Sequence, residues 1–204
     1  MNRKISTLLT AGLLVAGSLC GSAFAQNSIQ GLLGLGSAVT ELKSGTYVMT
    51  DANGLAYGFT SVSEDGVLQE GILDYKATSI ADDKKDDVKQ YIWKVTVTEN
   101  LGAYSYKFEN VATGKTLRVN TTAGSEAVEL NSAASGNVIK DVFAFGATQI
   151  GTTGKYTASE KALFAYNGNK SDVFQLKWSA GGSLISTTAS SFDLSFYAVE
   201  SEEL

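Results

Sequence analysis

The sequence predicts an all-β fold, and three observations support that prediction. Short runs rich in aromatic and β-branched residues recur along most of the chain, each bounded by turn residues. No apolar stripe with a 3.6-residue period persists for three turns. Two kinds of segment each occur three times, which indicates an internal repeat. About a dozen short strands separated by turns are typical of a sandwich or of a sheet closed on itself.

The first 25 residues have the pattern of a cleavable signal peptide. Arg3 and Lys4 form a positive start, the apolar run Leu8–Ala16 follows, and Ala23-Phe24-Ala25 provides small residues for cleavage before Gln26. Cleavage after Ala25 predicts a protein that is secreted, periplasmic or held at the cell surface. No later run reaches about 18 consecutive apolar residues, so we expect no membrane insertion after cleavage.

A lipoprotein signal is the competing interpretation, because Cys20 lies within the same segment. Lipoprotein processing favours a small residue immediately before the cysteine, and the residue here is Leu19. The Ala23-Phe24-Ala25 box therefore favours ordinary cleavage.

The predicted mature chain has 179 residues and contains no cysteine, histidine or proline. These absences exclude a thiol nucleophile, a Ser-His-Asp triad and an imidazole zinc site. A Ser-Lys pair or two carboxylates could still catalyse a reaction, but no motif singles out either. We expect a protein that is not an enzyme and that uses neither a metal nor a cofactor.

The charge balance argues against two classes of partner. Without the signal peptide, 21 acidic residues face 14 basic ones, and Arg118 is the single arginine. Nucleic acids and anionic membranes both require clustered lysine and arginine, so neither is expected as a partner. A glycan or a surface protein remains as the expected partner.

The chain from 26 to 45 is a glycine-rich lead-in, and residues 46–204 form the single predicted domain. Glycine weakens helices, so the lead-in is predicted to approach the first strand without regular order. The pattern then predicts a strand at Thr46–Thr50, a turn at Asp51–Gly54 and a return strand at Leu55–Phe59.

A long irregular insert comes next and contains the charged run Asp82–Asp87. Both signs of charge occur in this run, which favours a solvated loop. Calcium binding is disfavoured because the alternating acidic spacing and the glycine of a calcium loop are missing.

The rest of the chain continues in short strands, with a turn predicted at Leu101-Gly102. The predicted strands are Tyr91–Val97, Tyr104–Phe108, Thr116–Val119, Val142–Phe145, Leu163–Tyr166, Val173–Trp178 and Phe192–Val199.

Two segment types make up the repeat, and their alternation predicts three-fold internal symmetry. The first type begins with polar residues and continues with apolar ones; its copies are Lys89–Trp93, Lys140–Phe145 and Ser171–Leu176. The second type is a strand, a turn and a strand; its copies are Thr46–Phe59, Tyr104–Asn120 and Lys155–Tyr166.

The segment Tyr106–Val119 resembles the opening of a ricin-B-type β-trefoil repeat, with a hydrophobic strand, Asn110, a Thr-Gly-Lys turn and a Leu-x-Val strand. Gln90–Trp93 is similar to the Gln-x-Trp signature that closes such repeats, with one extra residue. The signal peptide and the acidic, cysteine-free body also resemble secreted Bacteroidota proteins that carry these modules. The resemblance implies a twelve-stranded β-trefoil with three lobes, each a possible sugar pocket. A β-sandwich is the alternative fold.

The chain departs from the lectin pattern at several positions. Arg118 stands where lectin-type lobes carry an aspartate, and Asp141-Val142-Phe143 and Asp172-Val173-Phe174 replace the later Gln-x-Trp signatures. The family's disulfide is absent. These departures put the sugar site of the second lobe in question while leaving the fold expectation intact.

The candidate ligand-binding residues are polar or aromatic and lie at predicted strand ends and turns. They are Tyr166, Asn167 and Asn169 in the third lobe, Asn110 and Asn120 in the second, and Asp51 in the first. Sugar sites combine a flat aromatic face with amide or carboxylate groups that bond the hydroxyls, which makes Tyr166 with Asn167 the first choice. Trp93, Phe143, Phe145 and Phe174 are instead predicted to be core.

The sequence therefore predicts a secreted, non-catalytic module that binds carbohydrate through a lectin-like β-trefoil. The alternatives are a protein-interaction or structural module of the cell envelope, or a trefoil resembling protease inhibitors. In the last case, the insert Ser79–Lys89 would be the inhibitory loop.

Overall fold

A computed structural model describes residues 27–51, 54–62, 68–76, 78–120, 127–131, 139–146, 153–166, 173–178, 184–187 and 193–200. These residues confirm the all-β class, because they form thirteen strands, one short α-helix and one 3₁₀ helix. The helix α1 is Ile29–Leu32 and the 3₁₀ helix is Asp82–Tyr91. The strands are β1 Gly45–Asp51, β2 Leu55–Val62, β3 Leu68–Asp74, β4 Ile92–Asn100, β5 Ala103–Asn110, β6 Thr116–Asn120, β7 Ala127–Asn131, β8 Ile139–Lys140, β9 Phe143–Phe145, β10 Leu163–Tyr166, β11 Val173–Trp178, β12 Leu184–Thr187 and β13 Leu194–Ala198.

All strand pairs are antiparallel, and six of the strands form a ring. Starting from β1, the pairs run β1·β4, β4·β5, β5·β9 and β9·β10. On its other edge β1 pairs with β13. An isolated bridge between Ala162 and Asp193 joins the approach to β10 with the approach to β13. The sheet therefore curls until its pairing returns to β1.

Three hairpins extend from this ring, and each follows one of its strands along the chain. They are β2·β3, β6·β7 and β11·β12. The short strand β8 also pairs with β6. The described part of the chain thus alternates a ring strand, a hairpin and a second ring strand, three times.

The ring strands share an aromatic core. Phe196 lies near its centre, with ring centroids 5.3 Å from Tyr156, 5.8 Å from Phe145 and 6.0 Å from Phe108. Most of these pairs meet edge to face, a favourable aromatic geometry. Trp93, Phe143 and Phe145 are buried, as predicted. The side chain of Phe174 is outside the described set.

The prediction of an irregular lead-in was wrong at Ile29–Leu32, which form α1, whereas residues 33–43 have no regular secondary structure. Ser28 caps α1, its hydroxyl accepting the Gly31 N–H at 3.1 Å. Ile29 and Leu33 are buried in a second cluster with Val48 of β1 and other residues of neighbouring elements. The glycines do weaken the helix, but burial of these apolar side chains against the sheet outweighs that local cost.

The charged run Asp82–Asp87 is solvated, as predicted, but it belongs to the 3₁₀ helix rather than to a loop. Two residues near the end of that helix, Val88 and Tyr91, are buried in the same second cluster. The helix is therefore anchored on one side and leaves its charges in solvent.

The predicted turn at Leu101-Gly102 is confirmed. It closes the β4·β5 hairpin, with φ values of 51° and 81° that fit a two-residue hairpin turn of the primed type. The third strand–turn–strand copy was misplaced, because in the range 155–166 only β10 and the bridge at Ala162 are strand-like. The strand pairs β1·β2 and β5·β6 each join a ring strand to the first strand of the hairpin that follows it. The third pair of this kind is β10·β11.

Candidate functional site

A polar cleft lies where the lead-in meets the sheet. Its volume is about 450 Å³. Three parts of the chain line it: Gln30 with residues 35–38 of the lead-in, Tyr75 and Lys76 just after β3, and Tyr197 of β13. We call it the tyrosine cleft.

Backbone hydrogen bonds hold the lead-in wall of the tyrosine cleft in place. The Gln30 N–H donates to the Tyr75 carbonyl at 2.8 Å. Farther along, the Val39 N–H donates to the Phe196 carbonyl at 2.8 Å. The lead-in is thus fixed to both other walls, so the cleft has a defined shape.

Two tyrosines form the aromatic side of the cleft. The ring centroids of Tyr75 and Tyr197 are 4.7 Å apart with an interplanar angle of 39°. The Lys76 ammonium nitrogen lies 5.2 Å from the centroid of the Tyr75 ring, within cation–π range. Tyr75 is buried and Tyr197 is partly exposed, so Tyr197 offers the accessible aromatic surface.

The hydroxyl of Tyr197 stays protonated at ordinary pH. Burial, followed by a hydrogen bond with Tyr75, raises the pKa of Tyr197 to about 12. The neutral phenol can therefore donate as well as accept hydrogen bonds.

The amide of Gln30 is only half satisfied. Its Nε2 donates to the Leu35 carbonyl at 3.2 Å, and because that partner is an acceptor the amide orientation is fixed. Its Oε1 is buried and is the one buried side-chain polar atom of the described residues without a hydrogen-bond partner. Such an atom costs about 1–3 kcal/mol of stability. Because Oε1 has no accessible surface, this cost belongs to the fold and not to a surface open to a ligand.

None of the predicted ligand-binding residues that the structure describes lines the tyrosine cleft. Asp51 ends β1 with 7 % of its surface exposed, and its carbonyl accepts the Gly54 N–H at 3.1 Å. Asn120 ends β6 and Tyr166 ends β10, but their side chains are outside the described set. Asn167 and Asn169 are themselves outside it.

Asn110 has a structural environment in the described fold. It is fully buried, its Nδ2 donates to the Gln90 carbonyl at 2.7 Å, and its Oδ1 accepts the Thr113 N–H and hydroxyl at 3.2 Å each. Its side chain therefore ties the β5–β6 turn to the residues preceding β4. Nothing of it faces solvent, where a sugar would have to reach it.

A second cleft, of about 220 Å³, lies beside the 3₁₀ helix. Ile80, Val88 and Tyr91 give it an apolar floor, and Lys84 and Asp87 lie at the same opening. Burial, and then the charge of Asp87, raises the pKa of Tyr91 to about 12. The exposed surface that lines this cleft is mainly apolar, whereas that of the tyrosine cleft is mainly polar.

The chain matches no known protein-family model, and no curated protein is similar to it. Among the described residues no helix is long and apolar enough to cross a membrane. Those residues also contain no cluster of three or more His, Cys, Asp or Glu that could hold a metal ion.

Sequence reasoning missed Gln30, Tyr75 and Tyr197. Tyr197 was placed in a predicted strand, Tyr75 in an irregular insert and Gln30 in the lead-in. A tyrosine followed by lysine at 75–76 was a weak local signal of an amphipathic edge, but nothing local connected it to the other two residues.

Proposed function

We propose that this chain is a secreted, non-catalytic module with a β-trefoil fold, and that it binds carbohydrate in the tyrosine cleft. The observation that carries the proposal is a cleft lined by two contacting tyrosines together with the polar residues Gln30, Ser37 and Lys76. The signal peptide pattern supports secretion, and the lack of histidine supports a binding role over the commonest catalytic ones.

The order of strand pairs supports the trefoil. Three successive units each supply a ring strand, a hairpin and a second ring strand, which is the arrangement that the resemblance implies. Gln90 and Asp141 each stand two residues before the second ring strands β4 and β9, and Asp193 stands directly before β13; the spacings are 51 and 52 residues. In this proposal the third copy of the polar-first segment begins at Asp193, because residues 173–176 of the copy predicted at Ser171–Leu176 belong to the hairpin strand β11.

The chemistry of the tyrosine cleft supports a sugar as its ligand. A pyranose has an apolar face that packs on an aromatic ring, here the accessible part of Tyr197. Its hydroxyls both donate and accept, so they can bond with the polar groups of the cleft lining, including the Ser37 hydroxyl and the Lys76 ammonium. A few placed polar groups beside an aromatic surface are typical of small-molecule sites.

A glycan array on residues 26–204 tests the proposal, with Gln30→Met as the diagnostic variant. Methionine keeps the length of the side chain and removes the amide of a residue that lines the cleft, so we expect glycan binding to fall at least tenfold. The thermal midpoint should change little, since a lost bond to Leu35 is offset by removal of an unsatisfied atom. Gln90→Met, a glutamine outside the tyrosine cleft, is the matched control and should bind normally.

Two results would overturn the tyrosine cleft as the sugar site. One is glycan binding that survives Gln30→Met and is lost in Tyr166→Ala, which would move the site to the third lobe with Asn167 and Asn169. The other is silence across a broad array together with capture of a defined protein partner. That second result would favour an interaction module of the cell envelope instead.

A further inference from the structure

The predicted signal-peptide cleavage makes glutamine the first residue, directly before the part of the chain that the structure describes. Gln26 follows Ala25, the last residue of the predicted cleavage box. The next residue is already anchored in the fold: the Asn27 carbonyl accepts the Ile80 N–H at 2.8 Å, and the Asn27 Nδ2 donates to Asp82 Oδ1 at 3.4 Å. No linker therefore separates the new N-terminus from the folded domain.

The residues that follow this terminus hold one wall of the tyrosine cleft. Ser28 is fully buried and caps α1, and Ile29 is buried against the sheet. Gln30 and residues 35–38 then line the cleft. Removal of a few residues from the N-terminus would take away the helix cap and weaken the attachment of that wall.

An N-terminal glutamine carries a nucleophile and an electrophile in one residue. Near neutral pH part of the α-amino group is unprotonated, because the pKa of an α-amino group lies close to neutral. The amine nitrogen can then attack the side-chain carbonyl carbon Cδ, and the new C–N bond closes a five-membered lactam. The bond from Cδ to Nε2 breaks, Nε2 takes up the proton that the amine gives up, and ammonia leaves. The step needs no oxidant, reductant or further reactant.

We propose that Gln26 is a modification site, at which the exported protein closes this lactam and acquires an N-terminal pyroglutamate. The inference rests on the cleavage after Ala25 that the proposed function includes, and not on sugar binding in the tyrosine cleft. The lactam removes the terminal positive charge and the primary amine. Aminopeptidases need that amine to remove the first residue, so the closed ring protects Asn27, Ser28 and the lead-in behind them.

Mass spectrometry of the exported protein tests the modification. The full chain is expressed with its signal peptide in a secreting bacterial host, and the mature protein is kept in neutral buffer for several days. We expect a chain of residues 26–204 that is lighter by one ammonia and that resists Edman degradation at its first residue.

Gln26→Asn is the matched control for the lactam. It keeps a side-chain amide, but its shorter side chain would have to close a strained four-membered ring. Its mature chain should therefore keep the full mass and release asparagine in the first Edman cycle.

Digestion with a broad-specificity aminopeptidase tests the protective role. The wild-type protein should lose no residue, whereas Gln26→Asn should be trimmed past Ser28. The thermal midpoint of the trimmed protein should fall by roughly 2–4 °C or more, because the cap of α1 is lost. Equal resistance of the two proteins would overturn the protective role.

A mature chain that starts at Gln26 and keeps its full mass would refute the modification. A mature chain that starts at another residue would refute both the modification and the cleavage site on which it rests. Neither result decides whether the tyrosine cleft binds sugar, because the glycan array with Gln30→Met tests that on residues 26–204 directly. Failure in that array would in turn leave the modification of Gln26 untouched.

Discussion

Replacing Asn110 tests whether this residue holds the fold or binds a ligand. Its amide makes three hydrogen bonds in a fully buried position: one to the Gln90 carbonyl and two from Thr113. Each bond contributes about 1 kcal/mol, and the buried groups left behind in Asn110→Ala lose their partners. We therefore expect Asn110→Ala to lower the free energy of unfolding by about 3 kcal/mol.

Urea and thermal unfolding of the mature protein measure this loss. For a chain of this length, about 3 kcal/mol corresponds to a fall in the thermal midpoint of roughly 6–12 °C. Thr113→Val removes a hydroxyl that donates to Asn110 and accepts the Lys115 N–H, but it leaves the other two bonds of Asn110. Because the Lys115 bond is exposed to solvent, the variant should cost only about 1 kcal/mol. A loss of stability about three times larger in Asn110→Ala than in Thr113→Val would indicate that the hydrogen bonds of Asn110 are the cause. Similar losses would indicate that the β5–β6 turn is sensitive to any substitution.

Glycan binding by the same variants supplies the opposing result. At a temperature where Asn110→Ala remains folded, its affinity for glycans should equal that of the wild type. A loss of stability below about 1 kcal/mol, combined with a clear loss of glycan affinity, would refute the structural role. It would also restore Asn110 as a ligand-binding residue.

Three further predictions concern turns and buried phenols. Leu101→Asn should raise the free energy of unfolding by about 0.5–1 kcal/mol, because Leu101 has a φ of 51° that asparagine tolerates better; an unchanged or lower urea midpoint would contradict this. Gly154→Ala should cost about 2 kcal/mol or more, since φ is 63° and the new Cβ would lie 2.9 Å from the Tyr104 carbonyl oxygen; Gly102→Ala, where nothing lies within 4 Å, should cost less in the same assay. Stability should decline between about pH 10 and 12, because burial raises the pKa of Tyr156 to about 12 while the unfolded phenol ionises near pH 10. The contribution of Tyr156 is thus complete below pH 10, and Tyr156→Phe should flatten the decline measured by urea unfolding at stepped pH.

The ring strands were predictable because each has one face in a closed core. Alternation at Tyr104–Phe108 places Tyr106 and Phe108 inside, and the strand is found there as part of β5. The predicted bounds of Leu163–Tyr166 and Val173–Trp178 are those of β10 and β11.

The strands that were missed are the two-residue β8 and the second strand of each hairpin, which are β3, β7 and β12. Gly71 interrupts the apolar pattern of β3, and β12 has only four residues. Such strands form because the preceding strand offers a paired edge, which a periodicity argument on one segment does not see. The segment Ala127–Asn131 is different, since Val128 and Leu130 alternate with polar residues and could have been recognised.

The helix in the lead-in was missed because helix propensity was considered without the sheet face on which the lead-in packs. Ile29 and Leu33 are four residues apart and lie on one side of a single helical turn. Their burial stabilises the lead-in because they pack on an outer face of the sheet formed by Val48 and its neighbours. That face exists because β1 alternates, burying Tyr47 and Met49 in one cluster and Val48 in the other.

The sequence could single out Asn110 as a candidate but could not indicate the tyrosine cleft, because the cleft forms from distant parts of the chain. Carbonyl and amide groups that bind a sugar hydroxyl also bind a turn N–H, so an asparagine beside a turn fits both roles equally well in sequence. Burial separates them, and burial depends on which strands meet. Gln30, Tyr75 and Tyr197 come together because β13 pairs with β1 and the lead-in bonds to both Tyr75 and Phe196. A cleft formed where distant segments of the chain meet has no characteristic residue spacing in the sequence. Its residues acquire a shared role only when the last strand has closed against the first.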